Sequence, residues 1–190
     1  GYAVQGASGP IIALDLNDVR SAPGVVAVLT AADIPGANEC SPSFGGDPIL
    51  ANDRIEFHGQ LVFAVVAHTR DQARHAARRS RIEIAQETPA ISVDDGLISG
   101  ETVLPNYQFL RGDPHKVIAA SERQASGNVR VGGQEHFYLE GQIAVAVPGE
   151  GGGMHIFSST QHPSEVQHLV ARMLTLSEAQ VVTECRRMGG

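Results

Sequence analysis

An α+β fold is predicted by three features of the sequence. Alternating or β-branched runs, such as LVFAVVAHT (61–69) and RIEIAQE (81–87), mark strands. Two segments, RDQARHAARRS (70–80) and QHPSEVQHLVARMLT (161–175), carry helical periodicity. Between residues 98 and 114 the composition turns polar, with Gly and Pro, and divides the chain into two halves. At 190 residues, 42% hydrophobic and 18% charged, the chain suits one domain or two small ones with a packed core. The halves are drawn at 1–100 and 115–190, with 101–114 as linker.

In the first half, IIALDLND (11–18) and GVVAVLTAADI (24–34) read as strands, and Pro23-Gly24 between them is turn chemistry. LVFAVVAHT is bounded by Gly59 and a polar cluster and reads as a central, buried strand. Thr69 then suits the N-cap of a helix with Asp71 in its first turn. Ala73, Ala76 and Ala77 form its small, sheet-facing side, and Arg70, Arg74, Arg78 and Arg79 a solvated one. RIEIAQE follows as a strand, so strand, helix and strand make a compact α/β unit.

The second half opens on a short helix near 115–121. A strand, NVRVGG (128–133), is expected to run into QEHFYLEGQ (134–142). IAVAVPGEGGGMHIFSST (143–160) reads as two alternating strands in a hairpin around a glycine loop at 148–153. Pro163 suits the first position of the next helix, whose stripe of Val166, Leu169, Val170, Met173 and Leu174 is core. AQVVTECRR (179–187) is the last strand. It leads into Met188, Gly189 and Gly190 as a strand leads into a glycine-rich loop, so the chain is expected to continue in a longer protein.

The net charge of −7 argues against a nucleic-acid partner, and no apolar stretch approaches the ~20 residues of a membrane helix. An ordinary soluble, cytoplasmic protein is expected. Cys40 and Cys185 belong to no C-x-x-C pair and read as free, buried or half-buried thiols. The eight histidines form neither H-E-x-x-H nor H-x-H, and Glu135 and His136 would point to opposite faces of a strand, so no directly bound metal is expected. No G-x-S-x-G elbow supports a serine nucleophile, and Ser158 and Ser159, just before a helix, read as local caps. Gln161 lies between a strand end and a proline-initiated helix. Its amide either donates toward a ligand above the strand ends or serves as a cap or solvated group. Gly189 and Gly190 either begin a loop that cradles phosphate or simply turn the chain, and Arg186 and Arg187 pair with phosphate or, more commonly, with a neighbouring carboxylate.

The run GGQEHFYLEGQ (132–142) resembles a signature of the molybdenum hydroxylases, in the branch of xanthine dehydrogenases and aldehyde oxidases. APGVVAVLTAADIPG (22–36), FSSTQHPSEVQ (157–167) and ECRRMGG (184–190) agree with that branch in order and spacing, so the resemblance spans essentially the whole chain. It implies an α/β hammerhead-type domain followed by the first part of a molybdopterin-binding α+β domain. The implied reaction is oxidation of hypoxanthine or xanthine to urate with oxygen drawn from water, or, alternatively, hydroxylation of an aldehyde. A non-catalytic α+β binding module is the alternative from another class.

The resemblance also implies a molybdopterin-molybdenum cofactor. Gln161 matches the family glutamine that hydrogen-bonds an oxo ligand of the molybdenum, and Gly189 and Gly190 match the start of the cofactor loop. The general-base glutamate would follow Gly190, so no catalytic residue is assigned within the chain. Phe137 and Tyr138 are expected to pack around the site. Two isolated cysteines do not supply Fe–S clusters, and no dinucleotide fingerprint is present. Fe–S clusters and FAD, passing electrons to NAD, are therefore expected on another domain or a partner subunit of a hetero- or homo-oligomer. The 190 residues alone are expected to be inactive.

Overall fold

The computed structural model describes residues 2–3, 8–42, 45–100, 102 and 104–188. They pack as two units, one made of the chain up to residue 88 together with residues from 138 onward, the other of Pro89–Phe137.

The N-terminal part of the first unit contains β1 (Tyr2–Ala3), β2 (Gly9–Asp15), α1 (Asn17–Arg20), β3 (Val25–Thr30), β4 (Arg54–Ile55), β5 (Leu61–Ala67), α2 (Arg70–Ala77) and β6 (Arg81–Ile84). Two three-stranded sheets form, in the orders β1-β5-β3 and β4-β2-β6, and every pairing in them is antiparallel. Strands from both sheets feed one core around Val19, Ile55, Val62 and Phe63, each fully buried, with Ala76 and Ala77 of α2 packed on it. Fully burying each large apolar side chain contributes roughly 1.5–3 kcal/mol.

The start of α2 follows its sequence signal. Thr69 Oγ1 accepts from the Gln72 amide at 3.2 Å, and Gln72 Oε1 accepts from the Thr69 amide at 3.1 Å, a reciprocal capping box. The four arginines of 70–79 are exposed, as expected of a solvated face.

Three strand expectations change. Although β5 is central in its sheet and Val62 and Phe63 are fully buried, Leu61 and Val66 near its two ends are 46% and 44% exposed. Moreover, β5 and β6 belong to different sheets, since β6 pairs antiparallel with β2 and the stretch from β5 to β6 is no parallel crossover. Finally, the expected strand through 128–142 is absent: no strand occurs there, and Val129, Val131 and Leu139 are more than 80% exposed. A strand needs a neighbour to take its backbone groups, and none of the described residues supplies one.

The C-terminal part of this unit contains β7 (Ala144–Pro148), β8 (Met154–Ser158), α5 (Pro163–Leu174) and β9 (Val181–Glu184). The first two form the expected hairpin, in register from Ala144 opposite Ser158 to Pro148 opposite Met154. From β8 the chain crosses through α5 to β9, which lies parallel to β8. Ile156, Ala171 and Val181 are buried between helix and sheet, with Val166 and Val170 of the predicted stripe against them. Gln167 reinforces that contact: its Nε2 donates to the carbonyls of Val181 at 2.7 Å and Glu178 at 3.0 Å.

The last turn of α5 joins the two parts. Thr175 takes the left-handed conformation (φ 56°), and the Leu176 amide returns to the Ala171 carbonyl at 2.9 Å. The Gly36 amide donates to the Met173 carbonyl at 2.9 Å and the Ala37 amide to the Arg172 carbonyl at 3.2 Å. Helix-end carbonyls that would otherwise lack partners are thus satisfied by the loop after β3. A Cβ at position 36 would lie 2.0 Å from the Arg172 carbonyl oxygen, so this approach requires glycine.

Beyond Gly36 the loop folds on its own polar groups. Asn38 brackets Leu50, donating to its carbonyl at 2.8 Å and accepting from its amide at 3.0 Å. The Glu39 carboxylate accepts from the amides of Ser41, Gly46 and Asp47. Those bonds, first that of Ser41 and then that of Gly46, hold its pKa below the ordinary glutamate value against some desolvation, with help from Asp47 and Arg172. Cys40, expected to be at least half-buried, is an exposed residue, although partial burial of its thiol raises its pKa.

The second unit contains α3 (Val93–Ser99), started by a Ser92–Asp95 capping box, and α4 (Pro114–Ala120), capped by Asp113. None of its described residues is buried, and Ile91, Ile98, Tyr107 and Val129 are all above 85% exposed. The exposed Arg130–Asp94 ion pair adds little, about 0–1 kcal/mol.

Two outcomes are expected. Gly36→Ala displaces the loop from α5, loses two hydrogen bonds of about 1 kcal/mol each and lowers the urea midpoint; an unchanged midpoint would show that the approach is not tight. For Glu39, a folded-state pKa below the unfolded one stabilises the fold above the unfolded pKa, and that contribution is lost as pH falls through the folded value. Glu39→Gln therefore melts below wild type at neutral pH, and the gap closes on acidification; a gap constant with pH would contradict this.

Candidate functional site

Between β8 and α5 the chain makes a short polar turn, Ser159 to His162, and Gln161 stands exposed in it. Pro163 occupies the first helical turn as the sequence predicts, and His162 is the N-cap residue without any capping bond from its side chain. The Thr160 hydroxyl instead accepts from the His162 amide at 3.0 Å and tightens the turn. A twelve-residue helix thus begins beside Gln161 with the positive end of its dipole toward the turn.

An open groove of about 520 Å³ runs between the end of β8 with this turn (residues 158–162) and the residues leading into β7 (142–144), and Val166 also lines it. The β7 side is held by side chains. Gln142 Nε2 donates to the Tyr138 hydroxyl at 3.0 Å. The Ser159 amide donates to the Ile143 carbonyl at 3.0 Å, and the Ile143 amide donates back to Ser159 Oγ at 3.0 Å. Ser159 Oγ in turn reaches the Gly141 carbonyl at 3.1 Å and the Ile143 carbonyl at 3.3 Å. Ser159 is thus no helix cap: its hydroxyl points back across the hairpin and extends the β7–β8 ladder. A third strand joins the turn where Cys185 Sγ, just past β9, donates to the Thr160 carbonyl at 3.1 Å.

On the opposite face of the sheet, His155 stacks on Phe157 with centroids 4.2 Å apart, and the Arg186 guanidinium lies 5.4 Å from the Phe157 ring. Arg186 Nε donates to Glu184 at 2.7 Å, and Arg187 donates to the Arg186 carbonyl. For Arg186 the carboxylate partner is therefore the one realised. Gly189 and Gly190 lie outside the described residues. Phe137 is 82% and Tyr138 45% exposed, so among the described residues Phe137 packs little; it also takes the left-handed conformation, φ 56°.

The groove's polar chemistry is that of amides and hydroxyls: Gln142, Ser158, Ser159, Thr160 and Gln161 line it, and among the described residues His162 is its only titratable side chain. Among the described residues no group of three His, Cys, Asp or Glu side chains is placed to hold a metal ion. Such a donor set suits hydrogen bonds to the oxygens of an organic or metal-organic group, not direct ligation of a bare cation. The molybdenum cofactor implied by the sequence is a group of that kind, and the residues present fit an outer contact to it. Sequence reasoning placed Tyr138 near the site but missed Ser159 and Cys185 as the groove's supports, because each acts through a residue far away in sequence. The one available signal was a serine at the very end of an alternating strand.

Comparison with known proteins gives the family. Residues 4–88 match the family described as "Aldehyde oxidase and xanthine dehydrogenase, a/b hammerhead domain". Residues 99–190 match the "Molybdopterin cofactor-binding domain". The chain is 37% identical to a xanthine dehydrogenase of Dictyostelium discoideum over 95% of its own length, and 34% identical to a xanthine dehydrogenase/oxidase of Mus musculus over 97%. It spans only 13% and 14% of the lengths of those relatives. Its fold is similar to that of the aldehyde oxidoreductase of Desulfovibrio gigas, with TM-score 0.79 and 23% identity, over 99% of this chain and 23% of that one. The chain belongs to the aldehyde oxidase and xanthine dehydrogenase family, as a hammerhead region followed by a molybdopterin cofactor-binding region.

Proposed function

We propose that this chain is the part of a xanthine dehydrogenase-type oxidoreductase that links its hammerhead region to one wall of the molybdenum cofactor site. What carries the reading is continuous similarity to xanthine dehydrogenases across both regions, 37% identity over 181 residues in one case. In the full protein the substrate is hypoxanthine or xanthine, the product urate, and the inserted oxygen comes from water. The bound cofactor supplies the two-electron redox chemistry.

This chain's residues hold and orient that group. Gln161 Nε2 donates a hydrogen bond to one of its terminal ligands; in a site closed to water such a bond is stronger than in solution. Gly189 and Gly190, outside the described residues, are assigned to the cofactor loop by their match to the family motif alone. No catalytic residue is assigned within this chain. Fe–S clusters and FAD, on another domain or a partner subunit, take the electrons on to NAD.

The apolar surface left bare on the second unit and on 138–147 supports this reading, because patches of that kind mark contact with further polypeptide. Two free cysteines suit a reducing, cytoplasmic location, and no helix among the described residues is long and apolar enough to cross a membrane.

Two measurements on the full-length, molybdenum-loaded protein test the proposal. Steady-state turnover is expected to favour xanthine over aldehydes, and an aldehyde preference would assign the other branch of the family. Gln161→Ala is expected to lower kcat by about ten- to a hundredfold at unchanged molybdenum content, the cost of a lost donor in a water-poor site. Unchanged turnover at full loading would make Gln161 a structural residue.

A further inference from the structure

We propose that Ser159 is a positioning residue for Gln161, acting as a side-chain rung that locks the groove's two walls together. The inference rests on the cofactor-contact role proposed for Gln161. Backbone pairing of β7 with β8 runs as far as Ala144 opposite Ser158. One residue further the Ser159 amide still finds the Ile143 carbonyl, but the Ile143 amide takes a hydroxyl, Ser159 Oγ, at 3.0 Å. That oxygen accepts one bond and has one proton to give, which the Gly141 carbonyl receives at 3.1 Å. A single side chain therefore fixes both Gly141 and Ile143, at the foot of the QEHFYLEGQ run, against the turn that carries Gln161.

Gln161 depends on this rung because it has little else. Among the described residues its own side chain finds no hydrogen-bond partner, and it is exposed in the groove. Its location is set through the main chain: Ser159 two residues before it, the Thr160 carbonyl held by Cys185 Sγ, and Pro163 two residues after it. Of these anchors only Ser159 also sets the far wall, and so the width of the groove. Removing the hydroxyl leaves the Ile143 amide and the Gly141 carbonyl without that partner and lets the walls separate.

The test uses the full-length, molybdenum-loaded protein and four variants: Ser159→Ala, Ser159→Thr, Gln161→Ala and the double Ser159→Ala/Gln161→Ala. Hydrogen exchange of the peptide spanning 138–147 is read first, then molybdenum per protein, the Mo(V) EPR signal, and kcat with KM. Ser159→Ala is expected to speed exchange at that peptide, keep its molybdenum, shift the EPR signal in the direction Gln161→Ala shifts it, and lower kcat about tenfold. Ser159→Thr, which keeps the hydroxyl, restores all three, and the double variant is no worse than Gln161→Ala alone. A wild-type signal and kcat in Ser159→Ala, with Gln161→Ala impaired, overturns the role of Ser159 and leaves that of Gln161 standing. Losses that add in the double variant make Ser159 a stabilising residue only and likewise overturn it. If Gln161→Ala itself behaves as wild type, the Gln161 reading fails and this inference with it. Where Ser159→Ala loses molybdenum, Ser159→Cys, a weaker donor of similar size, replaces it and is held to the same outcomes.

Discussion

Helix α5 is the member on which the rest of the first unit depends, because both of its ends are used. At its C-terminus the carbonyls of Ala171, Arg172 and Met173 are taken by amides of Leu176, Ala37 and Gly36. Two of those amides come from the N-terminal part of the chain, more than 130 residues earlier in sequence. Leaving helix-end carbonyls unpaired would cost free energy wherever water was excluded, so the β3 loop and the helix stabilise each other. At its N-terminus the same helix fixes the turn that bears Gln161. The contact at Gly36 and the groove are thus opposite ends of one rigid element twelve residues long.

Side chains complete what the sheet leaves open. Gln167 ties the middle of α5 to β9, Ser159 extends the β7–β8 ladder, and the Cys185 thiol reaches the Thr160 carbonyl. Together they brace the groove from three strands, although each bond is individually modest, about 1 kcal/mol. The opposite face of that sheet is different in kind. There Glu184, Arg186, His155 and Phe157 form an ion-pair and ring cluster, while Val145 and Val147 stay about half exposed.

Much of this was legible from residue order, and the reasons differ by element. The Thr69 N-cap, Pro163 and, of the α5 stripe, Val166 and Val170 were readable because each depends on neighbours within one or two turns. So was the hairpin, where alternation flanks a glycine loop. The placement of β5 and β6 in separate sheets was not, since pairing partners lie far away in sequence and periodicity is silent about them. The run 128–142 alternates well enough to suggest a strand but has no described partner. Ser159 was misread because a serine before a helix usually caps it, and only the folded hairpin shows that its hydroxyl faces Ile143. The family signature lay in the sequence itself, whereas the groove that gives Gln161 its setting is a product of the fold.

The most direct test of the account is a crystal structure of the full-length protein with its molybdenum cofactor, with the metal located by anomalous scattering. The account predicts that Gln161 Nε2 lies at hydrogen-bonding distance, about 2.7–3.2 Å, from a ligand atom of the molybdenum, with the groove between residues 142–144 and 158–162 closed over it. A groove filled by other polypeptide, with the molybdenum beyond reach of Gln161, would contradict it.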